Sequence, residues 1–371
     1  MPVLWGILLG CTIVQIFIYG LLFRRFAVYR AGSNQEEASR EAEMGVSVII
    51  CARDEEENLR QHLHFFLSQR YAPFEIIVVD DGSKDGTLEY LQRLRQGYAQ
   101  LRVIHLREKT APGKKAALAR GIAESRYEVV LLSDADCRPA GENWISWMVG
   151  GLAGRKEIVL GFSPYSPTGG FLNKFVRFEG VYTALQYFSF ALAGMPYMGV
   201  GRNLLYRKEV FVRAGGFQAH LQKASGDDDL FVNAVASGEN TAVALAPGSF
   251  VWSKPPDCWR AYFRQKSRHF STGVDYRLAH KIILGMIALT HALHYALVCF
   301  LVFVPGWGVY ALLAYLARAV VVLCIYYSVL KRLAALDLWK WVPVLDALLP
   351  LFYLLFSPNI FSGRSPEWKR R

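Results

Sequence analysis

Four short stretches of the chain gather side chains that could hold and process a charged, polar ligand. In Asp80-Asp81-Gly82-Ser83-Lys84-Asp85-Gly86-Thr87, two carboxylates precede glycines that permit a tight turn. Carboxylates so placed can accept hydrogen bonds from a base N–H or from ribose hydroxyls. In Ser133-Asp134-Ala135-Asp136 the acids sit on alternate residues, so on an extended segment both project to one side. Like charges that close invite a hard divalent cation, magnesium or manganese, whose shell a diphosphate would complete. Ser225-Gly226-Asp227-Asp228-Asp229 places three acids in a row, which repel one another unless a cation, a base role or solvent accommodates them. Gln265 and Arg268 of Gln265-Lys266-Ser267-Arg268-His269 share a helix face; the arginine suits a phosphate and the glutamine a hydroxyl.

Each stretch also has a plainer reading. Asp, Gly and Ser are ordinary turn and cap residues, acids favour helix starts for electrostatic reasons, and Arg or Lys beside lipid headgroups would show the spacing of the last motif. The case therefore rests on what positions these residues. β-Branched, apolar runs at 46–51, 76–79, 103–106 and 129–132 read as buried strands. Helical patterns at 56–69, 87–95 and 114–125 lie between them. Such alternation implies an α/β domain with a mostly parallel sheet covered on both faces. Ligands in such sheets bind beyond the carboxyl ends of the strands, where the first two acidic stretches fall.

The ends of the chain are different in kind. Hydrophobic residues make up 53% of the composition, above the usual range for a soluble domain, and the excess gathers at both termini. The uncharged run 3–23 is long enough to cross a bilayer core of ~30 Å. Its basic residues follow it, at Arg24, Arg25 and Arg30, which favours a retained anchor with a cytosolic C-terminal end over a cleaved signal peptide. Two further spans are expected at 282–304 and 307–330, ending on Lys331 and Arg332. The apolar stretch 341–361 is broken by Pro343, Asp346, Pro350 and Pro358; a re-entrant or interfacial path would leave the basic tail in the cytosol. The expected layout is an anchor over 1–25, an acidic linker over 26–45, an α/β domain over 46–275, a membrane region over 282–361 and a basic tail over 362–371. The net charge of +11 follows this topology, and with no basic stripe interleaved with aromatics nucleic acid is not an expected partner. Six widely spaced cysteines, with no C-x-x-C pair, suit a reducing compartment.

Taken in order, the motifs resemble those of family-2 glycosyltransferases with a GT-A fold, especially the membrane-bound hyaluronan, chitin, cellulose and ceramide-glucosyl synthases. The likeness is carried by 46–55, Val79-Asp80-Asp81-Gly82-Ser83, Asp134-Ala135-Asp136, Gly199-Val200-Gly201-Arg202-Asn203 with Gly215-Gly216-Phe217, Gly226-Asp227-Asp228 and Gln265-Lys266-Ser267-Arg268. It implies a nucleotide-sugar pocket at Ala52, Glu55, Asp80 and Asp81, with Lys115 near the diphosphate. Asp134 and Asp136 would hold a metal–diphosphate, Asp228 would be the base, and Asp227, Gln265, Arg268 and His269 would line the acceptor or pyrophosphate side. The implied reaction is inverting transfer from a nucleotide-sugar, a UDP-sugar foremost and GDP next, to a lipid-linked or glycan acceptor at the cytosolic membrane face. Two departures stand out: Ala52-Arg53-Asp54-Glu55 where relatives often have Pro-x-x-Asn-Glu, and His269 where they usually have Trp. The second weakens the case for a processive polymer synthase, and the acceptor stays open.

Other patterns lead elsewhere and fail. Pro112-Gly113-Lys114-Lys115 lacks the first glycine and the Ser or Thr of a P-loop, and Gly199-x-Gly201 lacks a third glycine. His291 and His294 are a turn apart inside a span and read as packed residues. Arg318 lies near the middle of a span, where a charge is costly unless paired; a pair with Asp346 or a contact to a lipid phosphate is expected. A nucleotide-sugar-binding scaffold or sensor is the alternative, though a dead copy has no chemical reason to keep Asp134, Asp136 and Asp228 together. Nothing in the sequence sets an oligomeric state.

Overall fold

Strand β1 (Val46–Ala52) is flanked by β2 (Phe74–Asp80) and β4 (Val129–Asp134), both parallel to it, and β3 (Leu101–His105) lies outside β2. The computed structural model describes residues 1–29, 44–107, 113–223 and 225–362. Arg30, most of the expected acidic linker, Pro112 and the basic tail from Arg364 onward lie outside the described residues. Helices α2 (Glu56–Leu67), α3 (Thr87–Leu94) and α4 (Lys115–Ala123) connect these strands, as the alternating pattern predicts. The chain then moves to the other flank of β1. β5 (Cys137–Pro139), α5 (Trp144–Val149), β6 (Ile158–Leu160), the long α6 (Gly170–Leu192), β7 (Leu204–Arg207), α7 (Lys208–Arg213), α8 (Asp229–Val235), β8 (Thr241–Val243) and β9 (Val251–Ser253) follow.

The main sheet has seven strands in the order β3-β2-β1-β4-β7-β6-β8. It is mixed: β7 runs antiparallel to both β4 and β6. The five short strands after β4 carry no long apolar run, so sequence periodicity does not reveal them. Because the chain leaves β1 toward β2 and β3 and returns on the far side at β4, the order switches between β1 and β4. The register sets Cys51 beside Asp134 and Ala52 beside Asp80, so three strand ends open on one crevice.

Alternation along the strands divides the core. Val48, Ile50, Ile76, Val78 and Leu131 pack on one face with Leu59, Phe66 and Trp144. Ile49, Ile77, Val79, Val130 and Leu132 face the other side, in a cluster that runs without a break through α6 to Tyr19, Phe23, Phe26 and Tyr326. Each fully buried aliphatic side chain there contributes roughly 1.5–3 kcal/mol. The α/β domain and the apolar terminal helices thus share one core.

Among the described residues four helices are long and apolar enough to cross a membrane: α1 (Pro2–Val28, with a π turn at Ile18–Phe23), α10 (Leu278–Leu301), α11 (Gly308–Arg332) and the segment Leu336–Phe356. The first runs past the expected boundary at residue 25. The fourth is a 3₁₀ turn, Leu336–Trp341, running into α12 (Val342–Ser362). Pro350 and Pro358 do not interrupt α12, which is one continuous helix. Its Phe352 and Phe356 pack against the α/β domain, while Asp346 pairs with Arg318 of α11 at 2.6 Å. Arg177 of α6 grips Asp337 with two hydrogen bonds of 2.7 Å, tying the same segment to the α/β domain.

Candidate active site

The acids converge at the strand ends. Asp134 closes β4 and Asp136 follows after the buried Ala135. Across the crevice, Gly226 adopts φ +95°, which a side chain would strain, and its turn delivers Asp227 and Asp228 to the start of α8. One ammonium links the two arms: Lys114 Nζ lies 2.7 Å from Asp134 Oδ1 and 3.3 Å from Asp227 Oδ2. Burial opposes that positive charge, but Asp134, Asp227 and Asp228 more than offset it and hold the Lys114 pKa well above its ordinary value.

The carboxylates respond unequally. Burial pushes Asp134 up, yet Lys114 outweighs this and leaves it below the usual carboxylate range. Asp136 is raised by burial and then by the charge of Asp134. Asp228 is pushed up to about 7 by burial and by Asp227 and Asp229 on either side. It is held in place by two donors, Gly201 N–H at 2.7 Å to Oδ2 and Asp229 N–H at 2.8 Å to Oδ1. Gly201 can approach because it lacks a Cβ, which would lie 3.2 Å from the Asp228 side chain. Asp229 faces away, accepting from the Thr272 hydroxyl and, at 2.8 Å, from Tyr276.

Helix α9 (Trp259–Phe270) carries Gln265, Arg268 and His269. Arg268 is close enough to Asp227, Asp134 and Asp228 for their charges to act on it, although burial still lowers its pKa. The surrounding protein, and then the charges of Arg268 and Lys266, lower the His269 pKa, although the residue is exposed to solvent, so its imidazole is neutral at pH 7. Gln265 Oε1 accepts from Tyr165 Oη at 3.4 Å, and the Tyr165 ring lies 4.8 Å beneath the Arg202 guanidinium. Arg202 in turn acts on Asp134 and Asp136. Below this layer the buried Glu179 of α6 pairs with Lys266 and accepts from Tyr262 at 3.0 Å, fixing α9 to α6.

Two of the expected donor-side residues make contacts within the protein. Lys115 is fully buried and its ammonium donates to the carbonyls of His220, Lys223 (3.0 Å) and Ser225 (2.6 Å). It ties down the loop ahead of Asp227, and its neighbour Lys114 is the lysine in the acidic crevice. At a helix start one residue changes the facing by about 100°, and spacing alone does not separate two adjacent lysines. Asp80 is also committed internally: Oδ1 accepts from Ser83 N–H at 3.2 Å and Oδ2 meets His105 Nδ1 at 2.7 Å. It shapes the turn that presents Asp81, whose N–H bonds the Ala52 carbonyl at 2.8 Å. Glu55 sits in the adjoining loop, its N–H donating to Thr87 at 3.0 Å. Arg202 and Tyr165 are additions, visible only once β4 and β7 are paired.

The lysines give a testable contrast. Lys115→Met leaves three carbonyls without their shared donor and is expected to lower the melting temperature by several degrees, given about 1–3 kcal/mol per unsatisfied buried group. Lys114→Met is expected to melt near wild type while losing affinity for a nucleoside diphosphate. Calorimetric melting and titration with UDP check both.

Two family models match the chain: Glycosyl transferase family 2 over residues 47–215 and Glycosyl transferase family group 2 over residues 164–361, more than half its length. The chain belongs to the family-2 glycosyltransferases. Probable glycosyltransferase YdaM of Bacillus subtilis is 27% identical to this glycosyltransferase over 60% of the chain and 54% of YdaM. Glycosyltransferase AglE of Haloferax volcanii is 31% identical over 49% of the chain and 58% of AglE. The glycosyltransferase therefore spans little more than half the length of these curated relatives. The solved structure of mannosyltransferase PcManGT from Pyrobaculum calidifontis, in complex with GDP-Man and Mn2+, superposes with a TM-score of 0.59 over 92% of this chain and 99% of that one, at 18% identity. That likeness establishes the GT-A-type fold of the glycosyltransferase.

Proposed function

We propose that this glycosyltransferase moves a sugar with inversion from a nucleotide-sugar, a UDP-sugar foremost and a GDP-sugar next, to a lipid-linked or glycan acceptor at the cytosolic membrane face. The observation that carries this reading is the separation of roles among the crevice carboxylates. Asp134 and Asp227 share Lys114, whereas Asp228 stands on two backbone N–H donors with a pKa near 7. A carboxylate poised near the working pH is suited to take a proton from an acceptor hydroxyl.

The donor diphosphate fits the other arm. Asp134 and Asp136 are two hard oxygen donors on alternate residues, and the pKa of Asp136 is raised by the charge of Asp134, a repulsion that a divalent cation would relieve. Among the described residues no three ligating side chains stand together, so diphosphate oxygens would complete such a shell. These residues fit manganese or magnesium, as the Mn2+ in the PcManGT complex supports; the ion would supply charge neutralisation at the leaving diphosphate. Lys114, Arg202 and Arg268 add positive charge around the same space. Ala52, Glu55 and Asp81, at and beyond the end of β1 and β2, would hold the nucleoside. Gln265 and neutral His269 face the acceptor side.

A manganese-dependent release of nucleoside diphosphate from one member of a nucleotide-sugar panel, by purified full-length protein, tests the reading. Binding without turnover on every donor would make the protein a sensor instead. The proton role has its own signature. Ionised Asp228 is the working form, so kcat/KM should rise about tenfold per pH unit below pH 7 and level off above it. A profile flat from pH 5.5 to 8 would remove Asp228 from the base role.

A further inference from the structure

The apolar helices enclose a polar cluster that the proposed reaction does not use. Arg318, at the middle of α11, is 2% exposed and donates to Asp346 of α12 at 2.6 Å and to Gln15 of α1 at 3.2 Å. Tyr295 of α10 donates to Asp346 at 2.8 Å and receives Arg318 at 3.3 Å. His291 approaches Asp346 at 3.4 Å, and Thr12 meets His294 at 3.1 Å. All four long helices therefore join at Asp346 or one residue from it. A charge pair inside a bilayer carries a large desolvation cost, and generic apolar packing would hold four helices together without it.

What the pair adds is a fixed position for α12. Phe352, six residues beyond Asp346, is ~9 Å further along the helix axis. Its ring stacks on Tyr262 at 5.5 Å and lies 6.2 Å from Phe263. Phe356, one turn later, packs on Phe263 at 5.7 Å and Phe270 at 5.1 Å. Those three rings belong to α9, the helix of Gln265, Arg268 and His269. Tyr262 also meets Glu179, which holds Lys266. One rigid segment of two turns thus connects the polar cluster to the acceptor side of the crevice.

We propose that Arg318 and Asp346 are positioning residues: their intramembrane pair sets the height and rotation of α12, and through Phe352 and Phe356 the placement of α9 against the acidic crevice. This rests on the reading of α9 as the acceptor-side helix, yet its test does not need turnover. Amide hydrogen exchange is measured on the full chain in lipid nanodiscs. Asp346→Asn is expected to speed exchange in 262–270 roughly tenfold, with β1 and β2 unchanged. Tyr295→Phe, which removes one bond to Asp346 and leaves the pair, should give a smaller rise, and Asp346→Glu should restore protection. Phe352→Ala should loosen 262–270 from the other end. Unchanged protection of 262–270 in Asp346→Asn would overturn the proposal, as would equal loosening of β2, which would mark a general loss of stability. Should Asp346→Asn fail to fold, Tyr295→Phe and Phe352→Ala decide it by the same two criteria. If wild-type protein hydrolyses no nucleotide-sugar, the enzymatic reading falls while the exchange result still judges the coupling.

Discussion

Asp228→Asn is expected to lower sugar transfer by at least a thousandfold while leaving nucleotide binding within a few fold of wild type. The loss follows from chemistry, because an amide accepts no proton at neutral pH and general-base contributions run to about 10²–10⁴ in rate. The fold should tolerate the change. Asp228 uses Oδ1 and Oδ2 for different N–H donors, so asparagine keeps one acceptor and forfeits one hydrogen bond, about 1 kcal/mol. Against that, the substitution removes a charge crowded by Asp227 and Asp229. The linkage has a definite sign. A carboxyl whose folded pKa lies near 7 binds more protons in the native state than in the unfolded one between its ordinary value and 7, so native stability falls as pH rises through that window. Asp228→Asn should abolish this fall, and its melting temperature at pH 8 should equal or exceed wild type. Turnover near wild type would eliminate the base assignment; a large loss of melting temperature would show a structural effect instead.

Asp136→Ala is expected to weaken manganese-dependent donor binding by tenfold or more, with metal-free nucleotide binding little changed. With one of two oxygen ligands gone, the remaining carboxylate, Asp134, already bonds Lys114 at 2.7 Å, and that ammonium would then satisfy it alone. The variant relieves the repulsion felt at Asp136, so it should fold at least as well as wild type. Titration with UDP in the presence and absence of manganese separates the two terms. Equal affinity of wild type and variant with the metal present would count against a metal role for the Asp134–Asp136 pair.

The legible parts of the fold were those with a strong physical period. β1, β2 and β4 are apolar runs buried on both faces, β3 is a half-buried edge strand, and the boundaries of all four fall within two residues of the sequence reading. The acids were legible because they follow those runs. The three-residue strands β5, β6, β8 and β9 were not, since so short a segment owes its conformation to neighbours distant in sequence. Lys115 and Lys114 illustrate the same limit at the site: both are lysines at one helix start, and the carbonyls of His220, Lys223 and Ser225 decide which ammonium turns inward. The partner of Asp80, His105, was not legible because it comes from a strand 25 residues on. Arg318 and Asp346, by contrast, declared each other, because a lone charge in an apolar helix has few affordable partners.

Asp229 bears on how such a protein could be rebuilt. Its carboxylate is claimed by Thr272 and Tyr276, two hydroxyls just beyond α9. The start of α8, beside Asp227 and Asp228, is therefore stitched to the segment after α9 by two side chains. An engineer grafting residues 259–276 from another transferase must carry both hydroxyls across, or the transplant will leave the buried Asp229 carboxyl stranded beside Asp228.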